Sequence, residues 1–251
     1  DALKELNWLS FAKLRGGWAQ VGNDTDPYNL ESYYTASTGG AFGKGADPRY
    51  NLPTTLANIN LKPETTKSWE VGLEARFLDN RVGFDASYYQ KNTYDQIVPV
   101  IVSGATGYTS KYINSGQMNN SGFELTLNVV PVKTNNFTWD IQLNASTLKN
   151  EVVSIAEGLD YMNLQNAPFR VKSGAFKGSS YPVIYGTVFV YDDAGNKLIN
   201  PSTGYYAATP IKPIGNATPN FTAGLTNSFS FKGFDMSILI DMQRGGHMYY
   251  T

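Results

Sequence analysis

The chain has 251 residues, of which only 16% are charged and 14% are aromatic, and its formal net charge is −1. That balance leaves no basic footprint for nucleic acid, and the absence of Cys excludes disulfide scaffolds, thiolate nucleophiles and Cys-held zinc or iron–sulfur centres. A single His, His247, excludes a multi-His metal site.

No signal-peptide pattern opens the chain, and no apolar run approaches the ~20 residues of a membrane helix. The hydrophobic period is two instead, and it recurs along the chain. Over about 11–21, Leu14, Gly16 and Trp18 alternate with Lys13, Arg15 and Gly17. A long polar link follows at about 22–67. The next strand is expected over 68–77, with Trp69, Val71 and Leu73 set against Glu70 and Glu74. Past the turn Leu78-Asp79-Asn80-Arg81 a strand runs over 82–102, its part beyond 95 extending it after a bulge. A link at about 103–120 leads to strands over 121–130 and 137–148, joined by the short turn Pro131 to Asn136. Phe123, Leu125 and Leu127 oppose Glu124 and Thr126 on the first, and Ile141 and Leu143 oppose Asp140 and Gln142 on the second. The longest link, about 149–219, is expected to hold extracellular strands over 181–191. Strands over 220–231 and 234–244, joined by Lys232-Gly233, complete the series.

Within the alternating stretches 12–20, 69–77, 82–91, 121–130, 137–147, 221–231 and 234–243 every charged residue falls in one phase, so each strand has one wet face and one apolar face. Aromatics sit at strand ends (Trp18, Trp69, Phe77, Phe231, Phe234) and aliphatics in the middles (Val71, Leu73, Ile141, Ile238), the distribution that two membrane interfaces select. Short and long connections alternate strictly, as in outer-membrane barrels with tight periplasmic turns and large extracellular loops. The fold expected is an all-β, antiparallel transmembrane β-barrel segment. Seven strands neither close a barrel nor make an even number, so further strands are expected on both sides.

Three stretches then carry a family resemblance. They are Lys13-Leu14-Arg15-Gly16-Gly17-Trp18 through Gly22-Asn23, Asn60-Leu61-Lys62-Pro63-Glu64-Thr65-Thr66 with Trp69-Glu70-Val71-Gly72-Leu73, and Asn120-Ser121-Gly122-Phe123-Glu124 with Lys149-Asn150-Glu151-Val152-Val153. The chain resembles the C-terminal barrel region of SusC/RagA-type TonB-dependent outer-membrane transporters of Bacteroidetes. The resemblance implies a twenty-two-strand barrel in the outer membrane, closed by a plug domain that this chain does not contain. It implies uptake of oligosaccharides or peptides, a SusD-like surface lipoprotein as lid, and energisation by TonB through the absent N-terminal part. It implies no enzyme activity and no cofactor.

Twelve of the 17 Tyr lie in the long links. A phenol ring stacks on apolar sugar faces and adds a hydrogen bond, so Tyr33, Tyr34, Tyr108, Tyr112 and Tyr185 are the candidate substrate-binding residues, against the alternative that they pack loops on one another. No catalytic or metal residue is expected. Glu70 and Glu74 stand about 13 Å apart at strand rise, too far for a glycosidase pair, and read as part of a solvated network. Asp192-Asp193-Ala194-Gly195-Asn196 reads as a hairpin turn before a calcium loop, and His247 as a rim residue. The rival to the importer is a secreted or surface β-rich carbohydrate-binding module or adhesin, whose apolar strand faces would pack against a second sheet.

Overall fold

A computed structural model of the chain describes residues 8–37, 49–166 and 171–250, so parts of the links at 22–67 and 149–219 lie outside the described residues. In chain order its strands are β1 (Leu9–Asn23), β2 (Thr35–Ser37), β3 (Arg49–Asn51), β4 (Thr55–Leu56), β5 (Glu64–Phe77), β6 (Val82–Tyr94), β7 (Ile97–Ile101) and β8 (Ser110–Asn114). They continue with β9 (Gln117–Lys133), β10 (Phe137–Ser154), β11 (Tyr161–Asn166), β12 (Lys172–Phe176), β13 (Val183–Gly186), β14 (Lys212–Asn216), β15 (Pro219–Phe231) and β16 (Phe234–Gly245).

The long strands form one antiparallel sheet in the order β1-β5-β6-β9-β10-β15-β16. Between bulges near the strand ends, register carries the two-residue alternation from strand to strand without a slip of face. Leu14 lies opposite Leu73, and the row continues through Ala86, Leu125, Ala145, Ala223 and Met242. The next row, one residue along, holds Lys13, Glu74, Asp85, Thr126, Asn144, Gly224 and Asp241 on the other face. A one-residue shift of a strand would put charged side chains, or in β15 polar ones, into the apolar row, so the pattern itself specifies the pairing.

The turns at one end follow from backbone chemistry. Lys232 and Gly233 both have positive φ, at 45° and 89°, the conformation a two-residue hairpin needs to match strand twist. Leu78, Asp79 and Asn80 are all left-handed as well, which closes the β5–β6 connection within four residues. Trp8 stacks on Phe77 at 5.7 Å near this end, and Phe77 on Phe84 at 6.1 Å. At the opposite end Trp69 packs against Tyr88 at 5.4 Å. Trp69 and Phe77 lie eight residues apart on β5. That is about 26 Å along the strand, or ~20 Å along a membrane normal at a ~40° tilt, inside the ~25 Å apolar band of such barrels.

The apolar face is uncovered. Leu14 is 76% exposed and Phe234 80%, and no second sheet packs on these rows among the described residues. Each large aliphatic side chain left in water forgoes roughly 1.5–3 kcal/mol. Within the apolar band the wall contributes just Ala75 to the buried hydrophobic residues among those described; Val152, on the outer stretch of β10, and Ile155, Ala156, Ala175, Val183 and Tyr185 lie beyond the band.

The strands reach further than the alternation alone indicated. β5 begins at Glu64, β9 at Gln117, and β10 runs on to Ser154, so the wall projects past the apolar band into the link region. The single run expected over 82–102 is divided. Asp95 is left-handed (φ 55°), and beyond it β7 leaves the wall to join a three-stranded sheet in the order β4-β8-β7. The side chain of Glu64 accepts the Ile97 amide at 2.8 Å, and Asn114 Nδ2 donates to the carbonyls of Lys62 and Asp95, which holds the break. Within 149–219, β11-β12-β13-β14 make a four-stranded sheet of their own, with β13 inside the span expected to be extended.

Candidate functional site

Two surfaces carry polar chemistry: the wet face of the wall and the cap built from the long links. On the wall, the Arg15 guanidinium reaches across β5 to Asp85 on β6 with two hydrogen bonds, 2.9 and 2.6 Å, and lies 3.8 Å from Glu70. Gly72 makes that crossing feasible, because a Cβ there would stand 2.6 Å from the guanidinium carbon. In the same way Tyr89 lies across Gly122, whose missing Cβ would meet the phenol oxygen at 2.5 Å. Arg76 pairs with Glu74 at 2.8 Å. These charges are paired with one another along the sheet as a structural network. Further along, Glu124, Thr126, Asn144, Ser146, Asp241 and Gln243 line a hollow of about 710 Å³ on this face, which makes it the concave side.

In the cap, the parallel pairing of β4 with β8 brings together segments over fifty residues apart. The Thr109 amide donates to the Thr54 carbonyl at 2.8 Å, the hydroxyls of Thr55 and Ser110 share a hydrogen bond at 2.8 Å, and Asn58 Nδ2 donates to the Tyr112 carbonyl at 3.0 Å. The turn Pro27–Asn29 docks on the same segment through the Asn58 amide, which donates to the Asn29 carbonyl at 3.0 Å. Between them opens a cavity of about 530 Å³ whose walls include Tyr28, Glu31, Tyr33, Tyr34, Pro53 and Tyr112. Tyr28 and Tyr33 meet edge to face at 5.6 Å, and Tyr34 is 67% exposed. The Tyr33 hydroxyl donates to Glu31 Oε2 at 2.8 Å, and this bond pushes the Tyr33 phenol above its ordinary value, so it stays a neutral donor.

The structure therefore gathers three of the five candidate tyrosines, Tyr33, Tyr34 and Tyr112, around one cavity. Tyr108 is half-buried beside the turn Gly104–Thr106, outside that wall. Tyr185 is a correction: it is 0% exposed. Its ring packs against Tyr161 at 5.4 Å and Phe176 at 6.2 Å, and its hydroxyl donates to Asn163 Oδ1 at 3.2 Å. Tyr185 packs the cap, and burial pushes its phenol pKa up. Alternation could not reveal Glu31 or Pro53 as wall residues, since the β4–β8 pairing that assembles the cavity is two residues long and leaves no periodic trace.

Residues 192–196 form a turn. The Asp192 carboxylate accepts the amides of Ala194 and Asn196 at 3.0 and 2.8 Å and the Asn196 side chain at 3.1 Å, which holds its pKa below the usual carboxylate range. His247 sits at the rim, where its Nδ1 accepts the Asn216 amide at 3.2 Å and its own amide donates to the Asn216 carbonyl at 2.6 Å.

Compared with known proteins, residues 6–240 match the family described as TonB dependent receptor-like, beta-barrel. TonB-dependent receptor P3 of Formosa agariphila is 27% identical over 98% of this chain and 27% of that receptor. TonB-dependent receptor SusC of Bacteroides thetaiotaomicron is 28% identical over 99% of this chain and 26% of that receptor. Among solved structures, the RagAB peptide importer in its closed-closed state superposes with a TM-score of 0.74 at 21% identity, over 97% of this chain and 28% of that one. The chain spans about a quarter of the length of the curated relatives it matches.

Proposed function

The chain belongs to the TonB-dependent receptor β-barrel family, whose members sit in the outer membrane, and from that membership we propose that it forms part of the wall and outer loops of a SusC-type nutrient importer for oligosaccharides or peptides. The supporting observation is the seven-strand register, which places the aliphatic rows on one face, interrupted by Asn227 and, at the outer end, by Thr147 and Arg244, and the ion pairs among the described residues on the other. In lipid the apolar face is solvated by acyl chains, and the wet face looks into a lumen. The free edges of β1 and β16 are where further strands of a closed barrel pair. The rival module reading requires a second sheet over the apolar rows.

Transport rather than catalysis is the activity. TonB supplies the energy, and a SusD-like lipoprotein covers the loops. The tyrosine cavity in the cap, with Tyr33, Tyr34 and Tyr112, makes early contact with ligand. The test is uptake by cells that express the receptor carrying this chain. Labelled oligosaccharide or peptide is expected to accumulate, to stop when the proton-motive force is collapsed, and to stop when the lipoprotein encoded beside the receptor is deleted. A receptor recovered in buffer without detergent, or uptake indifferent to the proton-motive force, contradicts the proposal.

A further inference from the structure

The cavity in the cap has a charge character that its aromatic lining alone does not require. Tyr28, Tyr33, Tyr34 and Tyr112 contribute four rings, and Glu31 is the one charged side chain in its wall among the described residues. No Lys or Arg lines it among the described residues. One oxygen of Glu31 accepts the Tyr33 hydroxyl at 2.8 Å, which orients the carboxylate; the other has no hydrogen-bond partner among the described residues. The remaining wall is neutral: hydroxyls of Ser32, Thr54 and Thr55, and the ring of Pro53.

We propose that this cavity selects ligands bearing an ammonium group, which the Glu31 carboxylate pairs while the faces of the surrounding tyrosines hold it. The chemistry is that of a cation among aromatic faces, where ring quadrupoles attract positive charge and gain strength as water is excluded. A nearby carboxylate adds Coulomb attraction for the same group and repels phosphate, sulfate and carboxylate ligands. A site built for neutral sugars needs ring faces and hydrogen bonds but no net charge. A site built for acidic ligands needs an Arg or Lys, which the described wall lacks. The Tyr33 phenol, kept protonated by its bond to Glu31, serves as a fixed donor and adds no second negative charge.

The inference rests on the importer reading, because it makes the cavity a ligand-selecting vestibule. Amino sugars and lysine-bearing peptides both carry the required group, and the experiment separates them. The receptor carrying this chain is purified in detergent and titrated by calorimetry with a glucosamine tetramer and a lysine tetrapeptide, each against its N-acetylated form, in mildly acid buffer that keeps the amines charged. The ammonium form of at least one pair is expected to bind about tenfold tighter than its acetylated partner, and the pair that shows the preference identifies the ligand source. Glu31→Gln is expected to erase that preference, Tyr34→Ala to reduce it, and Tyr205→Ala, on an exposed tip elsewhere in the cap, to leave it intact. Raised salt is expected to narrow the gap. Equal affinity within both pairs, no binding in both, or a preference that survives Glu31→Gln overturns the inference. Heat-shifted electrophoretic mobility of the same samples reports the folded barrel independently. A folded barrel with no charge preference therefore sinks the cation site alone, whereas failure to fold in detergent counts against the importer.

Discussion

The wall and the cap are made of the same strand-forming residues, yet they bury them in opposite ways. Across the apolar band the wall exposes Leu14, Trp18, Val71 and Ile240 and keeps just Ala75 among its described hydrophobic residues out of solvent. The cap wraps Val152, Ile155 and Ala175 with Met118, Leu159, Met162 and Tyr181, and closes Tyr185 off completely. The cap thus has a small core of its own, as a water-facing body requires. The wall has none, because its core lies outside the protein, in the bilayer. The difference shows that alternation alone says which residues share a face, while burial within the chain says which solvent that face meets.

The comparison can be broken most severely in the cap. Tyr185→Ala removes the one large side chain that is fully buried among the described residues, and is expected to cost about 3–5 kcal/mol of local stability. Limited proteolysis should then open the cap while the wall still shows heat-shifted mobility. If the wall fails together with the cap, the two do not fold as separate regions. In the wall, Leu73→Arg places a charge in the middle of the apolar row and should block outer-membrane assembly, at a cost of about 2–4 kcal/mol near the midplane. Glu124→Gln, on the other face, should assemble normally. Membrane fractionation reads both, and equal tolerance would erase the distinction between the faces.

A smaller effect is expected where cap and wall join. Asn150, on the outer stretch of β10, accepts the Tyr181 amide at 3.2 Å and donates to the Tyr181 carbonyl. Asn150→Ala should loosen that joint by about 1–2 kcal/mol, seen as faster hydrogen exchange over 179–183 with exchange in β9 unchanged. The smallest effect belongs to the exposed turn at Asp192. Its carboxyl pKa is lowered by hydrogen bonds from Asn196, so its contribution is fully present above the ordinary carboxylate range and is lost as pH falls through the depressed value. Amide exchange at Gly195 and Asn196 should rise on acidification to below that range. It should stay flat in Asp192→Asn, which keeps an acceptor but does not titrate.

Legibility in the sequence followed the same division. The wall was readable, since Lys13, Glu74 and Asp85 had to share one phase and Leu14, Leu73 and Ala86 the other, whatever the links did. The ends of the strands were not: β5 begins at Glu64, where no lipid imposes alternation and Lys67 can take the apolar phase. The departure of β7 from the wall depends on a left-handed Asp95, which no Gly or Pro announces. The cap was legible as a place where tyrosines concentrate but not as an arrangement. Tyr33, Tyr34 and Tyr112 converge through the distant β4–β8 pairing, and Tyr185 turns inward because Phe176 on the adjacent β12 and Tyr161 on β11 beyond it receive it.

The central claim is that the apolar face of the wall touches acyl chains and the charged face touches water, and spin-label accessibility addresses it directly. Single nitroxides attached through Leu73→Cys, Leu125→Cys and Leu143→Cys, and through Glu74→Cys, Glu124→Cys and Gln142→Cys, in the membrane-embedded receptor give one set on each face of the sheet. Dissolved oxygen, which concentrates in the bilayer, should relax the first set, and a water-soluble nickel chelate should reach the second more readily. Reversed accessibilities, or a leucine set shielded from oxygen and nickel alike as if packed against another sheet, would contradict it.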